Sequence, residues 1–305
     1  MDSTAAGPAV DVAVVVVTWN SADVVGDFLA CLPASLAGLR YQVVIADNAS
    51  TDGTADVVRR LVPRATVVDL GRNAGYAAGI NAGLRTAEPA RAVLICNPDV
   101  RLRPRAVRLL LAALDDPEVG MAVPRLVDGN GRLQPSLRRR PTVLRALGEA
   151  VLGGARAGRF DRLGEVIHIP SVYEREMDVE WATGACLLAS ARCLHDVGEW
   201  NESFFLYSEE TDYALRAHDR GFRVRYVPDA VAEHDGGDLH RSPHLWRLRA
   251  VNRVRLYEHR HGPAATRAYW AAATLHEGVR ALAGHRSSRI AYRALRAWRP
   301  RSETS

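Results

Sequence analysis

Apolar residues, mostly valine, fill positions 12–17 without a break. This is the pattern of a strand covered on both faces. Positions 22–32 then carry apolar residues at helical spacing, so the chain opens on a β-α unit. The strand signal returns at 41–46, 65–70 and 92–96, and helix signals lie between at 54–61 and 77–86. Ser50, Thr51 and Asp52 are candidate caps for the helix from 54. Alternating elements of this size, joined by short polar loops, predict an α/β fold with a mainly parallel sheet flanked by helices. Ligands of such a sheet gather at the carboxyl ends of its strands.

After Pro124 the pattern loosens, through arginines at 138–140 and glycines at 153, 154 and 158, until apolar order returns at 181–189. We read 125–180 as a loop-rich insertion and expect a further strand at 224–227. From Leu245 onward, Trp246, Val251, Val254 and Tyr257 fall at helical spacing with arginines between them. A second arginine-rich helical stretch covers 286–298. The expected organisation is a disordered N-terminus over 1–10, an α/β domain over 11–240 divided at 124/125, and a helical arginine-rich extension over 241–305.

Composition adds limits. At 305 residues, 48% of them apolar, the chain can bury one large core or a core plus a small appendage. The apolar run at 12–17 is far short of the roughly 20 residues a membrane-spanning helix needs, and Asp2 and Asp11 argue against a signal peptide. The sequence therefore predicts a cytoplasmic protein. Cys31, Cys96, Cys186 and Cys193 lack the close spacing of a zinc or redox motif and read as buried free thiols.

The net charge of +5 conceals a division: fourteen arginines crowd 241–301 against only Glu258 and Glu277. Such helices serve either as a solvated face packed on the main domain or as a peripheral contact with a membrane surface. No aromatic interleaving or motif supports nucleic-acid binding.

Three segments at predicted strand ends carry the candidate chemistry. In the first, 47–54, turn and cap needs account for Ser50, Thr51, Asp52 and Gly53 but leave Asp47, whose carboxylate suits a base or ribose. In the second, 72–81, Arg72, Asn73 and Asn81 offer polar contacts and Gly75 and Gly79 let a backbone approach a ligand. In the third, Asn97-Pro98-Asp99, one carboxylate stands at a strand tip, where a diphosphate would need a hard cation. Asp99 is otherwise an ordinary turn residue.

Further on, Glu209, Glu210 and Asp212 follow an aromatic run. They are either a charged first helical turn or the source of a general base. His234 stands after the strand at 224–227. No glycine precedes Gly26 after the first strand, which excludes a dinucleotide fingerprint and argues against hydride transfer.

The order and spacing of these segments resemble the family 2 glycosyltransferases with the GT-A fold, and within them the rhamnosyltransferases acting on polyprenyl-diphosphate-linked N-acetylglucosamine. The resemblance spans roughly 10–240. It rests on Thr18-Trp19-Asn20, the 47–54 and 73–81 blocks, Asn97-Pro98-Asp99-Val100, Trp181-Ala182-Thr183-Gly184-Ala185, the 204–212 block and His234.

The resemblance implies a nucleotide-sugar site formed by Thr18, Asn20, Asp47, Arg72, Asn73, Gly75, Asn81, Asn97 and Gly184. It implies a Mg²⁺ or Mn²⁺ cofactor on Asp99 and His234, with Asn97 standing where the family's metal motif has its first acid. Glu210 aligns with the base, where the family usually has aspartate, which leaves the assignment between Glu210 and Asp212. Trp181 and Arg138, in a segment like the branch's Pro-Ser-x-Arg, would serve the acceptor, with Arg139 and Arg140 as further diphosphate contacts.

The implied reaction is inverting transfer, with dTDP-rhamnose as donor and a lipid-linked saccharide as acceptor. Competing readings are a nucleotidyltransferase, a sugar-nucleotide binder without turnover, and a glycosyltransferase tailoring a soluble natural product. The first lacks its glycine-rich basic loop at 18–23. The second would not need the acids at 209–212.

Overall fold

The computed structural model describes residues 9–235 and 242–298. The N-terminal expectation for 1–8, Gly236 and Gly237, and the boundary at 240/241 lie outside the described residues. Val10 already belongs to the first strand.

The first half follows the predicted alternation closely: β1 (Val10–Thr18), α1 (Ala22–Ser35), β2 (Tyr41–Asp47), α2 (Thr54–Leu61), β3 (Thr66–Asp69), α3 (Tyr76–Thr86) and β4 (Ala90–Cys96). Val12, Val14, Val15 and Val16 are fully buried, as a run covered on both faces requires. Helix α1 continues past Pro33, because the Leu36 amide still reaches the Leu32 carbonyl at 2.9 Å.

Glycine has a packing role in α3. A Cβ on Gly79 would lie 2.5 Å from a Val17 methyl and one on Gly83 2.4 Å from a Val15 methyl. These two positions bring α3 against β1, so Gly79 serves helix-sheet contact and not approach to a ligand.

The second half comprises β5 (Arg101–Leu102), α4 (Ala106–Ala113), β6 (Val119–Val127), β7 (Leu137–Arg138), α5 (Val143–Leu152), α6 (Gly154–Ala157), β8 (Met177–Val179), β9 (Trp181–Ala182), β10 (Cys186–Ser190), α7 (Ala191–Val197), α8 (Glu209–Asp219) and β11 (Arg223–Glu233). The sheet runs β3-β2-β1-β4-β10-β6-β11-β5, with β8 on β11. It is the expected α/β sheet flanked by helices, its longer ladders parallel, and it is mixed: β10 enters antiparallel between β4 and β6, and β5 and β8 are antiparallel to β11. Local periodicity carries no information on that long-range pairing.

The insertion at 125–180 is also more ordered than expected, since it contains α5. Three helices follow, α9 (Pro243–Arg260), α10 (Pro263–Leu282) and α11 (Arg286–Ala297). Ala146 of α5 shares a core with Val254, Tyr257, Tyr269, Ala272, Ala273 and Leu295 from these helices. Arg253 ties them together: it donates to Glu149 and Glu165 at 2.9 Å each and to the Tyr269 hydroxyl at 2.6 Å. The arginine-rich extension and the insertion thus form one helical layer. Cys96, Cys186 and Cys193 are buried free thiols as predicted, while Cys31 is half-buried.

Candidate active site

The carboxyl ends of β1 and β2 are stitched together by short polar bonds. Asp47 is buried and its Oδ1 accepts from the Thr18 and Ser50 hydroxyls, both at 2.6 Å, while Oδ2 accepts from the Ser50 amide at 2.9 Å. Asn20, in the left-handed region at φ 49°, accepts from the Thr51 amide at 2.9 Å. Asp52 receives the Ala22 and Thr54 amides at 2.9 and 3.0 Å. Trp19 stands 57% exposed beside this loop pair, an aromatic face open to a planar ligand.

Asn48, buried behind Asp47, anchors the second segment: it donates to the Gly75 carbonyl at 3.2 Å and accepts from the Ala74 amide at 3.0 Å. Asn73 accepts from the Gly75 amide, and Arg72 is exposed. Gly75 itself, at φ 93°, is pressed against the Phe205 backbone, where a Cβ would meet the carbonyl oxygen at 2.3 Å. Asn81 is placed differently. Its amide is spent on the Trp200 backbone and on Glu202, three bonds at 2.9 Å, so it fixes the 200–202 loop from inside the protein.

At the tip of β4, the Asn97 amide donates to the Ala185 carbonyl at 2.9 Å, which sets 97–99 beside Gly184. Asp99 Oδ2 lies 3.5 Å from His234 Nε2 at the end of β11. Burial pushes the Asp99 carboxyl up, but the His234 hydrogen bond and charge outweigh it and hold its pKa below the ordinary value. Among the described residues no three His, Cys, Asp or Glu side chains converge, and Asp99 and His234 are the pair brought together here. Two donors, one of them a carboxylate, suit a hard cation that takes its remaining oxygens from a diphosphate and water.

Acids at 209–212 divide by environment. Asp212 is buried and receives Arg216 Nε at 2.8 Å, and Arg216 also donates to the Val197 and Glu199 carbonyls. Glu210 carries no such partner: its Oε2 is sealed from solvent without a hydrogen bond, and so is that of Glu209. Burial raises the pKa of both, further for Glu209, which also feels the charge of Glu210; Arg138 offsets part of the rise at Glu210. A carboxyl with a raised pKa, lodged at a helix start, holds a proton more firmly than an ordinary carboxylate, which suits a group that must accept one. Gly184 borders it, since a Cβ there would sit 3.2 Å from Glu210 Cβ, and Tyr76 donates to the Gly184 carbonyl at 3.0 Å.

The turn into α8 is strained. Tyr207 and Ser208 both lie at positive φ, 68° and 80°. Asn252 of α9, itself 1% exposed, donates to the Leu206 and Tyr207 carbonyls at 2.9 and 3.3 Å. The helical layer thereby secures the loop that presents Glu210.

On the other side, Arg138 pairs in register with Trp181 across β7 and β9, its guanidinium 5.9 Å from the ring. Trp181 is 7% exposed and donates to the Arg139 carbonyl, so it backs Arg138 from inside and offers little surface of its own. Arg139 is spent on the Gly158 and Gly164 carbonyls and Asp161, and Arg140 faces Glu180, which leaves Arg138 alone without a carboxylate in contact. Sequence reasoning missed Asn48 and Asn252, and it named Glu209 only as one acid of the 209–212 run. Neither asparagine left a signal, since each acts through backbone groups far away in sequence.

A mixed sheet with these loops at its strand ends has the GT-A architecture, and its solved relatives agree. Mannosyltransferase PcManGT from Pyrobaculum calidifontis, in complex with GDP-Man and Mn2+, superposes at a TM-score of 0.58 over 96% of this chain and 87% of its own, at 19% identity. TarS from S. aureus, in complex with UDP, does so at 0.51 over 94% and 90%, at 16% identity. The chain belongs to glycosyl transferase family 2, whose model matches residues 13–171. It is 33% identical, over 75% of its length and 78% of the relative's, to the N-acetylglucosaminyl-diphospho-decaprenol L-rhamnosyltransferase of Mycobacterium tuberculosis. A low-salt glycan biosynthesis hexosyltransferase of Haloferax volcanii is 24% identical over 72% of this chain and 66% of that protein. The protein is therefore a glycosyltransferase.

Proposed function

We propose that the enzyme transfers rhamnose from dTDP-rhamnose, with inversion, to a hydroxyl of a polyprenyl-diphosphate-linked N-acetylglucosamine. The observation that carries the acceptor and sugar is the 33% identity, over three-quarters of this chain, to a rhamnosyltransferase of that description. The nucleoside enters the loops at the ends of β1 and β2, with Trp19 on its ring face and Thr18, Asn20 and Asp47 shaping the pocket floor. Asn73, Gly75, Asn97 and Gly184 border the sugar, and Arg72 is free to reach a phosphate oxygen.

In the transfer step Glu210 removes the acceptor proton as the hydroxyl oxygen bonds to the anomeric carbon, and the bond from that carbon to the diphosphate oxygen breaks on the opposite face. One base suffices for a single displacement. Asp99 and His234 would hold a Mg²⁺ or Mn²⁺ ion against the diphosphate, and such an ion neutralises the charge that develops on the leaving group. Arg138, with no carboxylate partner, is positioned for the acceptor diphosphate.

Calorimetric titration with dTDP-rhamnose tests the donor half. Asp99→Asn is expected to abolish the Mn²⁺-dependent part of donor affinity with an unchanged melting temperature. Equal affinity in the variant, with and without Mn²⁺, removes Asp99 from the site.

A further inference from the structure

Helix α10 keeps its buried side toward Tyr257 and Ala146, yet its opposite side is not polar. The exposed positions Ala264, Ala268, Ala271, Leu275, Val279 and Leu282 recur at helical spacing and form one apolar stripe along its length, interrupted only at its edge by Arg267. Leu282 is 92% exposed. Helix α5 packs beside α10 and repeats the pattern with Leu144, Leu147 and Val151, the last 77% exposed. Each stripe lies on the side of its helix away from the shared core, and because α5 packs beside α10 we take the two as one surface. Phe160 extends the surface, lining an open groove with Leu144, Arg159 and Arg162.

Soluble helices put charge on this side, and a continuous exposed apolar surface of this kind marks a contact. Charge at its margins identifies the partner. On α11, Arg286, Arg289, Arg293 and Arg296 share one exposed face, and Arg156, Arg159 and Arg162 stand exposed after α5. The ion pairs of this region are made by Arg139, Arg145 and Arg253 instead, so these exposed arginines lack a carboxylate partner among the described residues. Asp161, the acid in the groove, is held by Arg139. Apolar side chains in the middle and unpaired guanidinium groups at the edge match a bilayer surface, with acyl chains below and anionic headgroups around. No helix among the described residues is long and apolar enough to cross a membrane, so the contact is with one leaflet.

We propose that the joint outer face of α5 and α10 inserts into the interfacial layer of an anionic bilayer, with the arginines of α11 and of 156–162 on its headgroups. Its use rests on the lipid-linked acceptor proposed above: Asn252 and Arg253 are consecutive on α9, one securing the loop before Glu210 and the other anchoring α5. A membrane seated on α5 and α10 therefore lies one helix layer from the catalytic loop. The extension cannot be removed to test this, since losing α10 and α11 would strip the core around Tyr257.

Co-sedimentation of the full chain with phosphatidylglycerol-phosphatidylcholine vesicles and with phosphatidylcholine vesicles tests the proposal. The wild type is expected to pellet with the anionic vesicles. The triple variant Leu275→Gln, Val279→Gln, Leu282→Gln should lose about tenfold or more in partitioning, and Arg289→Gln with Arg293→Gln should weaken binding and flatten its salt dependence. Unchanged thermal unfolding, and unchanged transfer to a short-chain, water-soluble acceptor, should accompany both. A Phe160→Trp reporter in the otherwise native chain should shift its emission to the blue only with anionic vesicles. Failure of the wild type to pellet, or pelleting of the triple variant at the wild-type level, overturns the proposal. So does sedimentation velocity showing a wild-type dimer that the triple variant dissolves, which would make the face a contact between copies. Vesicle binding without rhamnose transfer would leave this face standing and overturn only the donor and acceptor assignment.

Discussion

The Asp212 carboxylate is held by the guanidinium of Arg216 at 2.8 Å, one turn further along α8. That pair occupies Asp212, whereas Glu210 has no guanidinium in contact and one carboxylate oxygen without a hydrogen bond, so we propose Glu210 as the base. Glu210→Gln should bind donor as the wild type does and transfer at a rate lower by about 10² to 10⁴. Asp212→Asn should instead lose about 1 to 3 kcal/mol of unfolding free energy by breaking a buried charged bond. Steady-state kinetics with denaturant unfolding of both variants separates the roles, and the reverse pattern would move the base to Asp212.

The raised pKa of Glu210 gives a pH profile. A base must be ionised, so kcat is expected to rise with pH through an inflection above the usual carboxylate range, and Glu210→Gln should flatten that limb. A limb at an ordinary carboxylate pKa would contradict the buried environment.

Glu209 supplies a stability signature. Its folded pKa lies well above its unfolded one, so the contribution of Glu209 to stability is fully present below about pH 4.5, the ordinary value for a glutamate. That contribution is lost as pH rises through the folded pKa. Glu209→Gln should therefore stabilise the protein at neutral pH and have little effect at acidic pH. Melting temperatures of both proteins across that range check the sign.

Helix α9 is expected to act on turnover through Asn252. In Asn252→Ala the Leu206 and Tyr207 carbonyls lose their donor, at a cost of about 1 to 2 kcal/mol. The strained turn before Glu210 should then relax and kcat fall by up to roughly 10², with donor affinity held. Rescue by Asn252→Gln, or a loss confined to stability, distinguishes positioning from packing.

The β-α alternation up to Cys96 was legible because valine-rich strands and short polar loops are local signals. Pairing of β10 between β4 and β6 was not, since it joins residues far apart in sequence. The same holds for Asn81 and Asn48: Asn81 reads as a ligand contact and Asn48 leaves no signal, because the distant segments that claim them, at Trp200 and Ala74, are invisible until the chain folds. Helix α10 lay inside the helical extension expected over 241–305 but was not delimited there, for another reason. Its outer stripe is apolar, so the contrast that reveals an amphipathic helix is missing, and that missing contrast is the feature from which the membrane face is inferred.

Transfer of rhamnose to a lipid-linked N-acetylglucosamine is tested by the mass of the product. The enzyme is incubated with Mg²⁺, a polyprenyl-diphosphate N-acetylglucosamine analogue and, in separate reactions, dTDP-rhamnose, UDP-glucose, UDP-galactose and GDP-mannose. The acceptor is expected to gain one deoxyhexose from dTDP-rhamnose and nothing from the others. Gain of an ordinary hexose, with none from dTDP-rhamnose, would contradict the assignment.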